Sequence, residues 1–212
     1  MAALALPACS PPATDFTPTP AFFSGIGKLQ AVSGGYGTAF PVAHTEDGFI
    51  VMTCRHVVEG AHAFNFILPG KTYGMGKTHW VSPGTIDWGS DSGADAALVR
   101  FVSEDRPSLY RLSQDRGEAF STAWVAGWPN SVDKLQVNKG VFQVDRRRLD
   151  GSVAPGSSGS PVFNSKGEVV GLVSMVWRPE TVNGWGQRNG MVNWSWVIQM
   201  SDVRLAEKLL RL

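Results

Sequence analysis

The stretch "GFIVMTCRHVVEG", Gly48 to Gly60, opens with an apolar run and hands over to a turn at His56. A short apolar run bounded by turn signals reads as a buried strand, with Phe49–Thr53 as its body. The same rhythm continues on both sides. From Lys28 onward, short apolar or alternating runs are broken by Gly, Pro, Asn and Asp, with little helical period, which predicts an all-β chain.

Candidate strands are Leu29–Ser33, Gly37–Ala43, Phe49–Thr53, Ala63–Leu68, His79–Ser82 and Ala96–Val102. After a polar stretch at 103–108 come Leu109–Leu112, Thr122–Gly127, Val137–Val144, Pro161–Phe163, Val169–Val176 and Met191–Ile198. These are two sets of six, and each is large enough to curl into a closed sheet without exposed edges. The end, "SDVRLAEKLLRL", breaks the rhythm: Ser201 caps, Asp202 suits the positive end, and Val203, Ala206, Leu209 and Leu210 share a face. A short closing helix over 201–212 is expected. The expected organisation is a leader over 1–27, a first barrel over about 28–105, a second over about 106–200, and that helix.

The 212 residues are 43% hydrophobic, enough for a sizeable core. With 19 Lys and Arg against 18 Asp and Glu, the net charge of +1 makes no case for nucleic acid or a membrane surface as the main partner. Arg146-Arg147-Arg148 is the local exception, read as a solvated turn or strand end before a docking patch. No apolar run approaches the roughly 18 residues of a membrane-spanning helix. Two cysteines, Cys9 and Cys54, are too few for a disulfide framework.

The leader carries Pro7, Pro11, Pro12, Pro18 and Pro20, which favours an extended, disordered segment. Its Leu6-Pro7-Ala8-Cys9 faintly resembles the box at which bacterial lipoproteins are cut and acylated. Against an export signal, no Lys or Arg precedes the apolar segment, which is shorter than the roughly 7 to 15 residues of a signal core.

"PGSSGSP", Pro155–Pro161, reads on composition as a linker with three interchangeable serines, Ser157, Ser158 and Ser160. A serine becomes a nucleophile only beside a base held by a carboxylate. Of the four histidines, His56 sits where a strand meets a turn; its plainer reading is a hydrogen-bonded core residue. Asp95 in "SGADAALVRF" leads directly into an apolar run, as a buried orienting carboxylate would, or as a strand-start cap would. Asp87 and Asp91 read as turn residues.

Together, "TCRHVV", "DAALV" and "GSSGSP" resemble the His, Asp and Ser segments of chymotrypsin-like serine proteases, in that order, with spacings of 39 and 63 residues. "YGTAFPVAHTEDGFIVMTCRHVVEGA", "AWVAGWPN", "GEVVGLVSM" and "NWSWVIQMSDVRLAEKLL" are similar to segments of the HtrA/Deg branch. The resemblance covers about Gly34 to Leu210. It implies an all-β chymotrypsin-like fold of two six-stranded antiparallel barrels with a short C-terminal helix. It implies a catalytic set of His56, Asp95 and Ser158, and an oxyanion hole from the backbone N–H groups of Gly156 and Ser158. It implies a polypeptide substrate bound by Ser152, Val153, Leu172, Val173 and Ser174, and it calls for no metal or other cofactor. Cys54 is then an apolar filler.

The implied activity is that of a serine endopeptidase working through an acyl-enzyme. The alternatives are a catalytically inactive binding or scaffold protein on this fold, and a virus-encoded polyprotein-processing protease. No acidic residue stands at Ser152, so a small or medium uncharged side chain is expected before the cut. The HtrA branch carries a PDZ domain after the protease domain, and the resemblance here stops before one. A lipoprotein-like start would place the protein outside the cytoplasm, and a virus or phage origin inside the cell.

Overall fold

The structure, a computed structural model, describes residues 16–82, 95–113, 121–129, 134–143, 148–150, 153–177 and 194–199. The first sheet contains β1 (Gly27–Ala31), β2 (Tyr36–Thr45), β3 (Gly48–Thr53), β4 (Phe64–Leu68), β5 (Lys71–Val81) and β6 (Ala97–Val102), with one helical turn, α1 (Arg55–Val58), between β3 and β4. The second contains β7 (Ser121–Gly127), β8 (Gln136–Gln143), β9 (Arg148–Asp150), β10 (Pro161–Phe163), β11 (Val169–Trp177) and β12 (Trp194–Gln199). The spatial orders are β1-β2-β3-β6-β5-β4 and β10-β11-β12-β9-β8-β7, with every pair antiparallel. β4 returns to β1 and β7 to β10, so both sheets close. The expected all-β double barrel is the observed fold.

Apolar side chains explain both closures. Every residue of β3 is buried, as its unbroken apolar run requires. Phe49 stacks on Phe101 at 5.6 Å and meets Tyr73 edge-on at 4.9 Å inside the first barrel. Val125, Phe142, Leu149, Val162, Val170 and Val173 fill the second. A continuous buried cluster joins first-barrel residues to Ala126, Phe163, Val169 and Leu172. The two barrels therefore share core, and what lies in their seam is held from both sides.

Three expectations change. Residues 16–27 are not a disordered leader: Phe23 and Ile26 are buried, and Phe22 packs edge-on against Phe16, Phe23, Tyr110 and Phe163. The aromatic density of "FTPTPAFF" outweighs its prolines, because aromatic burial repays ordering an already extended segment.

Leu109–Leu112 is not a barrel strand. Tyr110 N–H donates to Pro41 O of the first barrel, while Arg111 O accepts from Val169 N–H of the second and Leu112 makes a single bridge to Val169. It is a crossing segment, and the sixth strand of the second barrel is β9. A run of arginines hid β9, in which only Leu149 is buried.

The expected strand at His79–Ser82 is the end of the longer β5, whose first half was obscured by Gly74 and Gly76. Between those glycines Met75 takes φ of 58°, an uncommon conformation for a residue with Cβ. The expected helix over 201–212 lies outside the described residues.

Gly48 pairs with Val102, and a Cβ there would stand 1.9 Å from Phe101 O. Gly48→Ala is expected to destabilise the protein by about 1–3 kcal/mol, read as a lowered midpoint in denaturant. Cys54 is fully buried, and burial together with the Asp95 charge pushes its thiol well above the usual range. Iodoacetamide at mildly alkaline pH is therefore expected to spare Cys54 in the folded protein and modify it after unfolding, as peptide mapping would report.

Candidate active site

The seam brings His56, Asp95 and Ser158 into one hydrogen-bonded group. His56 stands in α1, immediately after buried β3, and Asp95 immediately precedes β6. Because β3 and β6 pair through Thr53 and Ala97, the chain ends that carry the two residues leave the sheet side by side. Asp95 Oδ2 lies 2.6 Å from His56 Nδ1, and Asp95 Oδ1 accepts the His56 backbone N–H at 2.9 Å. A carboxylate only accepts, so Nδ1 carries the hydrogen and Nε2 is the basic nitrogen. Asp95 is 1% exposed, so its charge depends on these donors.

A third donor comes from the second barrel. The Ser174 hydroxyl donates to Asp95 Oδ2 at 2.6 Å, and the Ser174 carbonyl accepts the Ser158 hydroxyl at 3.2 Å. One residue of β11 thus touches both the carboxylate and the serine. Ser174, expected only to line the substrate pocket, also bridges these two groups, a role without a local sequence signal because nothing in a strand marks which face meets the other barrel.

The three serines of 155–161 have different surroundings. Ser157 is buried and its hydroxyl accepts Ala154 N–H, closing the turn; Ser160 is fully buried, with no hydrogen-bond partner for its hydroxyl. Of the three, only Ser158 has its hydroxyl bonded to Ser174, the residue whose own hydroxyl holds Asp95. Gly156 has φ of 93°, a conformation a Cβ would resist. The amides of Ser157, Gly159 and Ser160 all donate within the protein, whereas those of Gly156 and Ser158 donate to no acceptor among the described residues. Two such donors beside one hydroxyl are the kind of group that a developing oxyanion would need.

Of the expected substrate-binding residues, Ser152 lies outside the described residues. Val153 is buried within the second barrel. Leu172 and Val173 are corrected: both are fully buried, Leu172 pairs with Pro161, and Val173 exchanges both backbone bonds with Gly159 and Ser160. Their edge is occupied by the chain that carries Ser158. From Ser174 onward β11 pairs with β12 on one side and with no described strand on the other.

Among the described residues, Cys54, His56 and Asp95 are the grouping with metal-ligating atoms close together, all within 4.8 Å. Each donor is already engaged. The raised thiol donates to Val173 O at 3.2 Å, and the imidazole and carboxylate bind each other. The set matches a proton-handling pair beside a buried filler better than a cation site.

The family model described as "Trypsin-like peptidase domain" matches residues 37–172. The chain is 27% identical over 159 residues to the "Probable periplasmic serine endoprotease DegP-like" of Marinomonas sp., covering 70% of this chain and 31% of that protein. It is 26% identical over 180 residues to the "Serine protease Do-like HtrA" of Bacillus subtilis, covering 76% and 36%. It thus spans about a third of the length of these relatives. The crystal structure of the Rv3671c protease of Mycobacterium tuberculosis, in its inactive form, superposes with a TM-score of 0.63 at 17% identity, covering 90% of each chain, a likeness of fold. With the family match extending over more than half of its residues, and with the double barrel in place, the chain belongs to the trypsin-like peptidase domain family.

Proposed function

We propose that the protein is a serine endopeptidase that hydrolyses polypeptides through His56, Asp95 and Ser158. The observation that carries this reading is the convergence on Ser174, whose hydroxyl holds Asp95 while its carbonyl holds the Ser158 hydroxyl. It ties the orienting carboxylate and the nucleophile to one rigid strand.

In the reaction, the Ser158 hydroxyl exchanges the Ser174 carbonyl for His56 Nε2 as its acceptor. Its oxygen bonds to the scissile carbonyl carbon, and its proton passes to Nε2. Asp95 keeps Nδ1 protonated and offsets the imidazolium charge. The carbonyl oxygen, now negative, takes hydrogen bonds from the Gly156 and Ser158 amides, an interaction stronger in the transition state than in the bound substrate. Collapse breaks the C–N bond, and the His56 proton goes to the leaving amine. Water then adds to the acyl-serine, giving its proton to His56; the bond from the acyl carbon to the Ser158 oxygen breaks, that oxygen takes the proton back from His56, and the carboxylic acid leaves.

The substrate would bind extended along the β11 edge from Ser174 onward, adding a strand. That edge replaces the Leu172–Ser174 stretch read from the sequence. A small or medium uncharged residue before the cut remains the expectation. The periplasmic naming of relatives such as the Marinomonas protein supports an extracytoplasmic location for this one. Among the described residues no helix is long and apolar enough to cross a membrane.

Ser158→Ala is expected to lower kcat by at least about 10⁴-fold with the unfolding midpoint unchanged. A phosphonate probe is expected to label Ser158. Labelling at Ser157 or Ser160 would overturn the assignment, and a folded wild-type protein that neither labels nor cleaves would favour a binding role. Mass-spectrometric profiling of a digested denatured protein should reveal cuts after small uncharged residues; dominant cleavage after Arg or Lys contradicts the pocket reading. Cell fractionation that finds the protein in the cytosol of its host would remove the extracytoplasmic location.

A further inference from the structure

Thr38, on β2, is fully buried and uses every hydrogen-bonding atom it has. Its N–H donates to Ser158 O at 2.7 Å, and its carbonyl accepts the Thr53 hydroxyl at 2.8 Å. Its hydroxyl donates to Gly156 O at 3.0 Å and accepts the Trp128 N–H at 3.0 Å. One first-barrel residue thus holds two carbonyls of the turn that carries Ser158.

The approach that permits this is unusually close. A Cβ on Gly159 would stand 2.1 Å from Thr38 O, and one on Gly127 would stand 1.9 Å from Ser160 Oγ and 3.1 Å from Thr38 Oγ1. A Cβ on Gly37, the neighbour of Thr38, would stand 2.9 Å from Ser158 O. Backbone meets backbone around Thr38, and its hydroxyl occupies the remaining polar space.

We propose that Thr38 is a positioning residue that holds the 156–158 turn in its oxyanion-binding shape before substrate arrives. This rests on the peptidase reading above. A peptide unit is planar, so fixing a carbonyl also fixes the direction of the N–H that follows it. The Gly156 carbonyl points at Thr38, and the Ser157 N–H is thereby sent to Ala154 O at 2.9 Å. The Ser157 carbonyl accepts Ser160 N–H at 2.9 Å, which turns the Ser158 N–H the other way, where no described residue accepts it. The Ser158 carbonyl points at Thr38 N–H, and the Gly159 N–H goes to Val173 O at 2.8 Å.

Glycine itself does not hold this shape, since Gly156 enters and leaves φ of 93° without Cβ strain. The hydroxyl of Thr38 anchors the Gly156–Ser157 peptide plane from outside the turn. Without it, the half-buried Gly156 carbonyl loses its donor, and the peptide turns to find another, taking the amide geometry with it. Trp128 N–H, donating to the same hydroxyl, aims its proton at Gly156 O.

The test compares Thr38→Val, which keeps the shape and removes the hydroxyl, with Thr38→Ser, which keeps the hydroxyl. Thr38→Val is expected to lower kcat about 10- to 100-fold at little-changed KM and to slow phosphonate labelling by the same factor. Thr38→Ser is expected to stay near wild type. A crystal structure of the Val variant is expected to contain a Gly156 carbonyl turned away from position 38.

Wild-type kcat in Thr38→Val, or equal impairment in Thr38→Ser, or an undisturbed turn in the crystal, overturns the proposal. Where Thr38→Val does not fold, Thr38→Ala replaces it and is judged by the same three readouts. A wild-type protein without cleavage or labelling would sink the peptidase reading instead, and the crystal comparison would still decide the role of Thr38 in shaping the turn.

Discussion

The structure depends on keeping a carboxylate in the seam between two barrels. Asp95 is 1% exposed, and an ionised carboxylate removed from water is strongly unfavourable unless donors replace the lost hydration. Here they come from both barrels: the backbone and ring N–H of His56 from one, the hydroxyl of Ser174 from the other. Either barrel alone would leave that charge short of a partner. The bonds that fix the His56 ring are therefore also a condition for docking the barrels.

A second set of bonds crosses the seam around Thr38 and works on the serine turn. The Ser158 backbone is held by Thr38 N–H, and the Gly156 carbonyl by the Thr38 hydroxyl. Behind both sets lies an apolar contact of Phe22, Phe23, Tyr110 and Phe163, with the Tyr110 hydroxyl donating to Phe22 O at 2.6 Å. Burial pushes the Tyr110 phenol well up, which keeps it a neutral donor there. Residues of the early chain, read as a leader, thus complete the shared core. Apolar burial gives the seam its affinity, and the polar bonds give it a defined register.

Much of the fold was legible because it follows from local pattern. Phe49–Thr53 and Ala96–Val102 are strands because their apolar runs are too short and too evenly broken for helices, and both are found in place. Leu109–Leu112 failed for a physical reason: an extended segment has the same alternation whether it pairs along a sheet or bridges two of them. β9 was hidden because a strand with one inward side chain, Leu149, carries almost no apolar signal. Substrate contacts at Leu172 and Val173 failed likewise, since which edge of β11 stays open depends on how far β10 extends beside it.

By itself the sequence determined the residue types and their order: an all-β rhythm in two sets, and His56, Asp95 and Ser158 in motifs of chymotrypsin-like character. Those are properties of neighbours along the chain, and local pattern reports them. Tertiary structure alone decided that Ser174 joins Asp95 to Ser158, that Thr38 holds the serine turn, and that the amides of Gly156 and Ser158 have no acceptor among the described residues. These partners lie 16 to 120 residues apart. Hydrogen bonds of that reach exist only once two closed barrels have fixed the distance and direction between their donors and acceptors.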